Sequence, residues 1–326
     1  MKSILSQTGM FLLLGTAALQ TVYAKQPIEK LAVHVTAKAT SNYAQTKYPI
    51  VFAHGLFGFG SLVGVDYFYQ ILPDLARNGA NVWATRVSTM NSSEVRGEQA
   101  LSQVETILAI TGKPKVNLIG HSHGGQTVRY INGVAPEKVA SVTTIASGNK
   151  GAQIADLLEG VLVGRVLEYP ARAIFDVLVS PVITFASGLD PHTFPFDAKA
   201  ALQALGTKQS LAFNRNFPNG VPLTNCGEGA YKVNQTLYYS FMGNSPFNTP
   251  LDPSDYGMAA SGLLAGNDND GVVERCSARF GKVIRDNHRW NHLDEVNQLL
   301  GIRSIFAADP VSVYREHANR LKLQGL

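Results

Sequence analysis

The sequence has few cysteines, little charge and no repeats, and each shortage excludes a class of protein. Charged residues make up 16% of the 326 residues, and the formal net charge is only +4. No basic cluster alternates with aromatic residues, so the chain lacks the usual pattern of a nucleic-acid-binding surface. No group of cysteines and histidines has the spacing of zinc ligands. Without repeats, linkers or low-complexity tracts, the length and the 45% hydrophobic content predict one large α/β domain at residues 25–326.

The N-terminus has the pattern of a secretory signal peptide. Lys2 supplies the positive charge, residues 9–19 form an apolar run, and residues 22–24 form a small-x-small cleavage site. The run is too short to span the roughly 30 Å of a bilayer core, and no cysteine is present for a lipoprotein anchor. We therefore predict that residues 1–24 are removed, and that the mature protein is exported rather than held in a membrane.

The two cysteines, Cys226 and Cys276, are predicted to form a disulfide. An even number of cysteines in an exported chain favours pairing, because the compartments outside the cytoplasm are oxidising. The bond would tie the segment after Pro222 to the loop that carries Asp270. It would thereby steady that loop.

Apolar strands alternate with helical segments along most of the chain. The predicted strands are at residues 48–53, 81–87, 116–119, 139–146 and 238–242. The predicted helices are at residues 66–78, 97–111, 124–133 and 311–323, and residues 244–291 are predicted to be rich in loops. This alternation indicates a mostly parallel central sheet with helices on both faces.

Residues 120–124, Gly-His-Ser-His-Gly, are the most informative stretch of the chain. They follow a strand and precede a helix, which is the setting of a G-x-S-x-G nucleophile elbow. Gly120 and Gly124 have no Cβ to collide with the neighbouring strand and helix. The N–H of His123 lies at the helix start, where developing negative charge is stabilised. The pattern predicts Ser122 as a catalytic nucleophile in an α/β-hydrolase fold.

A serine nucleophile needs a histidine base held by a carboxylate, and in α/β-hydrolases both follow the serine. His292 is the favoured base, because it lies in a polar loop before a helix-like stretch. Asp270 is the favoured carboxylate, and Asp268 and Asp286 are competing choices. The other later histidines are interpreted as structural or, in the charged terminal helix, as exposed: His192 and His288 in the first group, His317 in the second.

The oxyanion hole needs a second N–H from the loop after an early strand. That loop begins at His54, and the N–H of Leu56 is assigned as the partner of the N–H of His123. His54 precedes the nucleophile in the chain, so it is interpreted as an orienting residue rather than as the base.

Residues 151–206 interrupt the strand–helix alternation and are predicted to form a helical lid. Large apolar residues are dense at 157–167 and 173–179, with few charges among them. Exposing such a surface is costly in water but favourable at a lipid surface. The alternative is a set of ordinary core helices.

Two acidic residues in separate loops, Asp252 and Asp294, have the hard oxygen ligands that suit Ca²⁺. Taken alone, they are better interpreted as solvated surface carboxylates. Residues 267–271 look superficially like an EF-hand, but Gly266 and Ser277 stand where acidic ligands are required. The residues alone therefore predict no metal.

The chain resembles the secreted Pseudomonas-type true lipases, bacterial lipase subfamilies I.1 and I.2. The resemblance runs over residues 49–323 and is carried by segments 51–56, 96–99, 120–125, 226–233, 251–255, 284–287, 291–298 and 310–315. It implies a triad of Ser122, Asp270 and His292, oxyanion donors at Leu56 and His123, and the disulfide Cys226–Cys276. It also implies one structural Ca²⁺, held by the carboxylates of Asp252 and Asp294 and the carbonyls of Gln298 and Ile302.

The resemblance implies a secreted triacylglycerol lipase that hydrolyses long-chain acylglycerols at a lipid–water interface through an acyl-enzyme. It further implies maturation with a membrane-bound, lipase-specific foldase and release from the periplasm by type II secretion. Residues 161–209 depart most from the family, which leaves acyl-chain and stereochemical preference open. A carboxylesterase or acyltransferase acting on soluble esters with the same triad is the main alternative. A non-enzymatic binding protein would be expected to lack a triad member.

Overall fold

The architecture comes from a computed structural model that describes residues 32–56, 58, 61–62, 65–165, 171, 174, 192 and 194–326. The predicted signal peptide at residues 1–24 lies outside the described residues. So does most of the central part of the predicted lid, from residue 166 to residue 193.

A mostly parallel sheet forms the centre of the described chain. Its strands are β1 (Val33–Val35), β2 (Ile50–Ala53), β5 (Val82–Ala84), β6 (Val116–His121), β7 (Val139–Ile145), β8 (Lys232–Val233), β9 (Thr236–Phe241) and β10 (Lys282–Arg285), while β3 (Ser61–Leu62) and β4 (Val65–Asp66) pair separately. The order across the sheet is β1-β5-β2-β6-β7-β9-β10, and β8 pairs with β9. Only β1 with β5 and β8 with β9 run antiparallel in this sheet. The predicted mostly parallel sheet is confirmed.

Helices cover both faces of the sheet, as predicted. The described α-helices are α1 (Ile71–Arg77), α2 (Ser93–Thr111), α3 (His123–Val134), α4 (Gln153–Leu162), α5 (Ala198–Leu205), α6 (Thr207–Asn216), α7 (Pro253–Gly262), α8 (Arg275–Ala278) and α9 (Pro310–Leu323). Short 3₁₀ turns lie at Pro136–Lys138, Asp294–Val296 and Leu299–Gly301. In the described part of the chain, no helix has both the length and the apolar character needed to cross a membrane.

The alternation of side chains along each strand divides the core into two layers. Phe52 packs in a cluster with Leu75 of α1 and Tyr314 of α9. Its neighbour Val51 points to the other face and packs in a cluster with Val104 of α2 and residues of α3. The central strands β2, β6, β7 and β9 are buried along their whole length and are rich in apolar residues, although they also contain buried polar residues such as Asn117 and Ser141, so their positions are largely readable from the sequence.

The strand register places the ends of the central strands at one edge. Ala53 at the end of β2 pairs with Gly120 of β6, and His121 at the end of β6 pairs with Ile145 of β7. Ile145 in turn pairs with Phe241 at the end of β9. Loops after parallel strands therefore meet at this edge, which is where open α/β sheets place their binding sites.

Residues 244–291 are mostly loops, as predicted, but α7, α8 and β10 also lie there. Helix α7 begins at Pro253, and the Asp252 side chain caps it by accepting a hydrogen bond from Ser254 N at 2.7 Å. Aspartate followed by proline is a helix-start signal. The apolar periodicity that would have completed the prediction is weak, because α7 includes two glycines, Gly257 and Gly262, and few large apolar side chains.

The described parts of the predicted lid pack as an ordinary core. Leu158 of α4 and Leu202 of α5 are buried in one apolar cluster, and Leu56 packs against it. This was the alternative interpretation for residues 151–206. The mobility of the segment stays a prediction, since most of residues 166–193 lies outside the described residues.

Candidate active site

The turn between β6 and α3 has the geometry of a nucleophile elbow. Ser122 adopts φ 55° and ψ −128°, a backbone conformation that L-residues rarely occupy. A Cβ on Gly120 would lie 2.2 Å from the Gly124 carbonyl oxygen, and a Cβ on Gly124 would lie 2.1 Å from the Ala53 carbonyl oxygen. The two glycines are therefore required by close backbone approach, as the sequence predicted, and the strained turn brings Ser122 to the sheet edge.

The structure brings Asp270 and His292 together. His292 Nδ1 lies 2.8 Å from Asp270 Oδ2, and both side chains are buried. Asp270 Oδ1 accepts hydrogen bonds from the N–H groups of Val272 and Val273, at 2.8 and 2.7 Å. The His292 N–H also donates to the Asp270 backbone carbonyl at 2.8 Å. This arrangement fixes Nδ1–H of His292 toward the carboxylate and leaves Nε2 as a proton acceptor.

The elbow lies against this pair. The ring of His121, the residue before Ser122, is centred 4.7 Å from the ring of His292. Among the described residues, Ser122 Oγ forms no hydrogen bond, and its bond to His292 Nε2 stays a prediction. The three residues predicted as a triad thus come from three separate loops at one sheet edge.

The competing carboxylates lie elsewhere. Asp268 forms a salt bridge with Arg275 at 2.6 Å and is about half exposed. Asp286 pairs with Arg279 at 2.7 Å. Each has a cationic partner of its own, whereas Asp270 faces His292. The geometry therefore separates three candidates that the sequence left open.

The other histidines divide into exposed and buried. His192 is exposed. His288 is buried and stacks on Trp290 with ring centroids 4.1 Å apart, and burial lowers its pKa to about 4. Within the described residues, the His288 ring nitrogens form no hydrogen bond and the ring packs on Phe241 and Trp290, in keeping with the structural role predicted for it, whereas the role of His192 stays a prediction.

The prediction that His317 is exposed is wrong. His317 is fully buried, its Nε2 lies 2.8 Å from Thr143 Oγ1, and burial lowers its pKa to about 3. Helix α9 packs on the sheet through one face, whose buried members are Tyr314, His317, Ala318 and Leu321. This spacing of three and four residues was present in the sequence, but the charged neighbours of His317 obscured it.

A buried arginine, Arg96, forms hydrogen bonds to the predicted oxyanion loop. Arg96 donates hydrogen bonds to the carbonyls of His54 at 2.5 Å and Thr89 at 3.1 Å, and also to Ser88 O. Burial lowers the pKa of Arg96 to about 9. The sequence marked Arg96 only as part of a family segment, because its role depends on carbonyls more than 40 residues away in the chain.

His54 has the orienting position that the sequence predicted. Its Nδ1 donates to the Gly55 carbonyl at 2.9 Å, and its Nε2 accepts from Val87 N at 3.5 Å. Burial lowers the pKa of His54 to about 3, so the ring is neutral at physiological pH. Leu56 and His123, whose N–H groups are the predicted oxyanion donors, stand immediately after this loop and at the first position of α3.

The two carboxylates predicted to hold Ca²⁺ are buried. Asp294 Oδ2 accepts hydrogen bonds from Asn291 N at 3.0 Å and Asn248 Nδ2 at 2.5 Å, and Asp252 Oδ1 accepts from Ser254. Within the described part of the chain, no lysine or arginine pairs with either carboxylate. Burial, with a smaller contribution from the charge of Asp252, raises the pKa of Asp294 to about 7. A buried, uncompensated pair of carboxylates has the chemistry of a divalent cation site.

The carbonyls predicted to complete that site lie in a strained loop. Asn297, Leu299 and Leu300 all have φ between 50° and 61°, and Gly301 follows with φ 75°. Consecutive non-glycine residues in this region each cost about 1 kcal/mol, so the loop needs a compensating interaction. Gln298 and Ile302 flank this turn. The two buried carboxylates thus have the chemistry that the site requires, and the part of the two carbonyls stays a prediction.

The predicted disulfide is confirmed: Cys226 is bonded to Cys276. Cys276 lies in α8, six residues after Asp270. Arg279 donates to the Cys226 carbonyl at 2.5 Å and pairs with Asp286. The bond therefore anchors the loop that carries Asp270, as the spacing in the sequence indicated.

Comparison with known proteins agrees with this geometry. The family model of the alpha/beta hydrolase fold matches residues 48–295. A triacylglycerol lipase of Vibrio cholerae is 53% identical over 89% of this chain and 92% of its own length. A triacylglycerol lipase of Burkholderia plantarii is 41% identical over 91% and 92%.

Solved structures support the same fold at low identity. The mature form of the Bacillus licheniformis lipase BlEst2 superposes with a TM-score of 0.61 at 18% identity, covering 90% of this chain and 98% of the other. At that identity the likeness shows the fold alone. The family match and the relatives confirm the resemblance stated from the sequence: the chain belongs to the α/β-hydrolase family, in the group of the bacterial triacylglycerol lipases.

Proposed function

We propose that this protein is a secreted lipase that hydrolyses the carboxylic ester bonds of long-chain triacylglycerols. The observation that carries the proposal is the buried Asp270–His292 pair at the same sheet edge as the Ser122 elbow. The relatives of matching length named triacylglycerol lipase support the substrate class.

The proposed reaction follows from the positions of these groups. His292 Nε2 takes the proton of Ser122 Oγ as the oxygen attacks the ester carbonyl, and a tetrahedral intermediate forms. Asp270 holds the imidazole in the right tautomer and stabilises its positive charge. The alcohol leaves with the proton from His292. Water, activated by the same base, then hydrolyses the acyl-enzyme and releases the fatty acid.

The oxyanion of each tetrahedral intermediate is proposed to bind the N–H groups of Leu56 and His123. A fixed donor of this kind contributes about 10²–10³ in kcat, because it is aligned before charge develops. The hydrogen bonds from Arg96 to the carbonyls around His54 support this role, since they hold the loop without movement. Backbone donors so held need no reorganisation during the reaction.

The substrate class is tested by measuring hydrolysis across the solubility limit of a long-chain triacylglycerol. We expect the rate to rise steeply once emulsion droplets form, because the lid and cleft are proposed to act at a lipid surface. Dissolved short-chain esters serve as the comparison, with and without an added alcohol acceptor. High activity on the dissolved esters with no rise at the droplets would instead support a carboxylesterase, and ester formation with the alcohol would support an acyltransferase.

We also propose that one structural Ca²⁺ is bound by Asp252 and Asp294 and by the carbonyls of Gln298 and Ile302. The ion would stabilise the turn that follows His292, because Asp294 is two residues beyond the base. The burial of both carboxylates and the strained loop support this assignment.

Removing Ca²⁺ with a chelator is expected to lower the Tm by about 5–10 °C. A ligand at 100 times its Kd stabilises by about 2.7 kcal/mol, and each kcal/mol shifts the Tm of a large domain by roughly 2–4 °C. Thermal unfolding with EGTA, and with calcium restored, measures the effect. Asp252→Asn should lose the response, whereas Asp268→Asn, at an exposed carboxylate, should keep it. An unchanged wild-type Tm would contradict the site.

We propose that the protein is exported through the periplasm after loss of residues 1–24, and reaches the medium by type II secretion. The disulfide supports passage through an oxidising compartment. Dependence on a membrane-bound foldase is inferred from the family resemblance. N-terminal sequencing of the secreted protein, expressed with and without a foldase partner, tests these points together, and the expected first residue is Lys25.

A further inference from the structure

A hydrogen-bonded network of three polar side chains adjoins the elbow: His121 and Glu295 are buried, and Tyr67 is partly buried. The Tyr67 hydroxyl lies 2.7 Å from His121 Nδ1, and His121 Nε2 lies 3.2 Å from Glu295 Oε2. His121 and Glu295 are completely buried, at 1% and 0% side-chain exposure. Gly55 N lies 3.1 Å from the Tyr67 hydroxyl at one end, and Gly243 N lies 2.5 Å from Glu295 Oε1 at the other.

Each hydrogen-bond donor in this network has an acceptor. The Gly55 N–H donates to the Tyr67 oxygen, so the Tyr67 O–H is free to donate to His121 Nδ1. His121 Nε2–H then donates to one oxygen of Glu295, and the Gly243 N–H donates to the other. Burial lowers the pKa of His121 well below its ordinary value, so the ring is neutral and has one donor and one acceptor. A fully satisfied buried network of this kind is rigid.

The members of the network adjoin the proposed oxyanion loop, the nucleophile and the base. Gly55 immediately precedes the oxyanion residue Leu56 in the sequence. His121 immediately precedes Ser122. Glu295 lies three residues after His292, and its Oε2 is 4.0 Å from His292 Nδ1. Tyr67 and His121 are 54 residues apart in the sequence, and His121 and Glu295 are 174 apart, so the network joins three distant segments.

We propose that Tyr67, His121 and Glu295 are positioning residues that hold the oxyanion loop and the base loop in register with Ser122. The inference rests on the proposed function, because it assigns these residues a part in the same reaction. None of the three needs to touch the substrate in this role. Their effect is exerted through Gly55, Ser122 and His292.

A metal centre is the other arrangement that these side chains suggest. Ligand atoms of His121, His292 and Glu295 lie within 4.8 Å of one another. However, His292 Nδ1 is hydrogen-bonded to Asp270, and both ring nitrogens of His121 are hydrogen-bonded within the network. With these atoms already engaged in hydrogen bonds, the cluster is better explained as a hydrogen-bonded network than as a set of ligands.

The first test is Tyr67→Phe, which removes one hydroxyl and keeps the ring contacts with Phe68 and His121. We expect kcat to fall about tenfold while KM changes less than twofold, because a lost hydrogen bond costs up to about 1.5 kcal/mol and acts on the reacting geometry. Tyr231→Phe is the matched control, since it also removes a tyrosine hydroxyl bonded to another side chain, Tyr239, at 2.9 Å. It should leave kcat unchanged.

The second test asks whether the network of Tyr67, His121 and Glu295 acts as one unit. Tyr67 and Glu295 bond to opposite nitrogens of the same imidazole, so the losses from Tyr67→Phe and Glu295→Gln should not be additive. The double variant should be no more than about threefold slower than the slower single variant. Multiplying losses, or a Tyr67→Phe enzyme with wild-type kcat, would overturn the proposal.

Labelling of Ser122 by a fluorophosphonate separates this outcome from failure of the proposed function. A wild-type protein that neither reacts with the probe nor hydrolyses esters would refute the function itself. An active, labelled wild type with an unaffected Tyr67→Phe variant would refute only the positioning role of the network. Urea unfolding of each variant identifies any loss of activity caused by unfolding.

Discussion

Replacing Ser122 by alanine is expected to lower kcat for ester hydrolysis by about 10⁶, to the residual rate that binding and the oxyanion hole provide. The alanine leaves His292 without a hydroxyl to deprotonate, so no acyl-enzyme can form. Folding should be unaffected, because alanine has a Cβ like serine and meets the same strain at φ 55°. The unfolding midpoint in urea should therefore match that of the wild type.

The matched control is Ser141→Ala. Ser141 is also a buried serine of the central sheet, and its hydroxyl donates to Asn117 Oδ1 at 2.8 Å, away from the candidate site. This variant should lose some stability and keep its activity. Fluorophosphonate labelling should disappear only in Ser122→Ala. A Ser122→Ala protein that still hydrolyses more than a trace of ester would refute the assignment of the nucleophile.

Replacing Asp270 by asparagine is expected to lower kcat by about 10⁴, through the wrong histidine tautomer. The N–H groups of Val272 and Val273 would hold the amide oxygen where Asp270 Oδ1 now lies. The amide NH₂ would then face His292 Nδ1 as a donor. The ring would have to accept a hydrogen bond at Nδ1 and carry its proton on Nε2. A protonated Nε2 cannot take the proton from Ser122.

Asp270→Ala should be less harmful than Asp270→Asn, although it removes more atoms. Glu295 Oε2 is only 4.0 Å from His292 Nδ1, and no amide blocks the way in the alanine variant. Burial and then the Asp270 charge raise the pKa of Glu295 well above its ordinary value. Removing Asp270 therefore favours the ionised form of Glu295, which can orient the base in its place.

The double variant Asp270→Ala, Glu295→Gln tests this explanation. It should fall to the activity of Asp270→Asn, because no carboxylate then remains beside His292. Steady-state kinetics of the three variants on one ester, with the unfolding midpoint of each, make the comparison. Equal activity of Asp270→Ala and Asp270→Asn would show that Glu295 does not take part.

Much of the central sheet was predictable because its buried parallel strands are rich in apolar and β-branched residues, even though some of their residues, such as Ser141, are polar. The predicted strand at residues 139–146 corresponds to β7, Val139–Ile145, within one residue. Short strands at the edges were missed, among them β1 at Val33–Val35, whose residues are only partly buried. Their strand conformation depends on the neighbour that each pairs with, and three or four residues are too few to show a pattern.

The site was predictable to the extent that its signals are local. The elbow needs glycine where backbones approach within about 2 Å of a Cβ position, so five residues specify it. Arg96, Tyr67 and Glu295 carry no such signal, because their partners are distant in the chain. The burial of His317 was missed for another reason: its spacing in α9 is that of a buried face, but its charged neighbours obscured the pattern.

The sequence by itself determined the elbow around Ser122 and the identity of the disulfide, since local sterics and a count of two cysteines leave one solution each. Only the tertiary structure decided that Asp270, rather than Asp268 or Asp286, lies beside His292. It also decided that Asp252 and Asp294 are buried rather than solvated, which the residues alone had not indicated. Turn geometry depends on neighbours within a few positions, whereas burial and hydrogen-bond partners depend on which distant segments pack together.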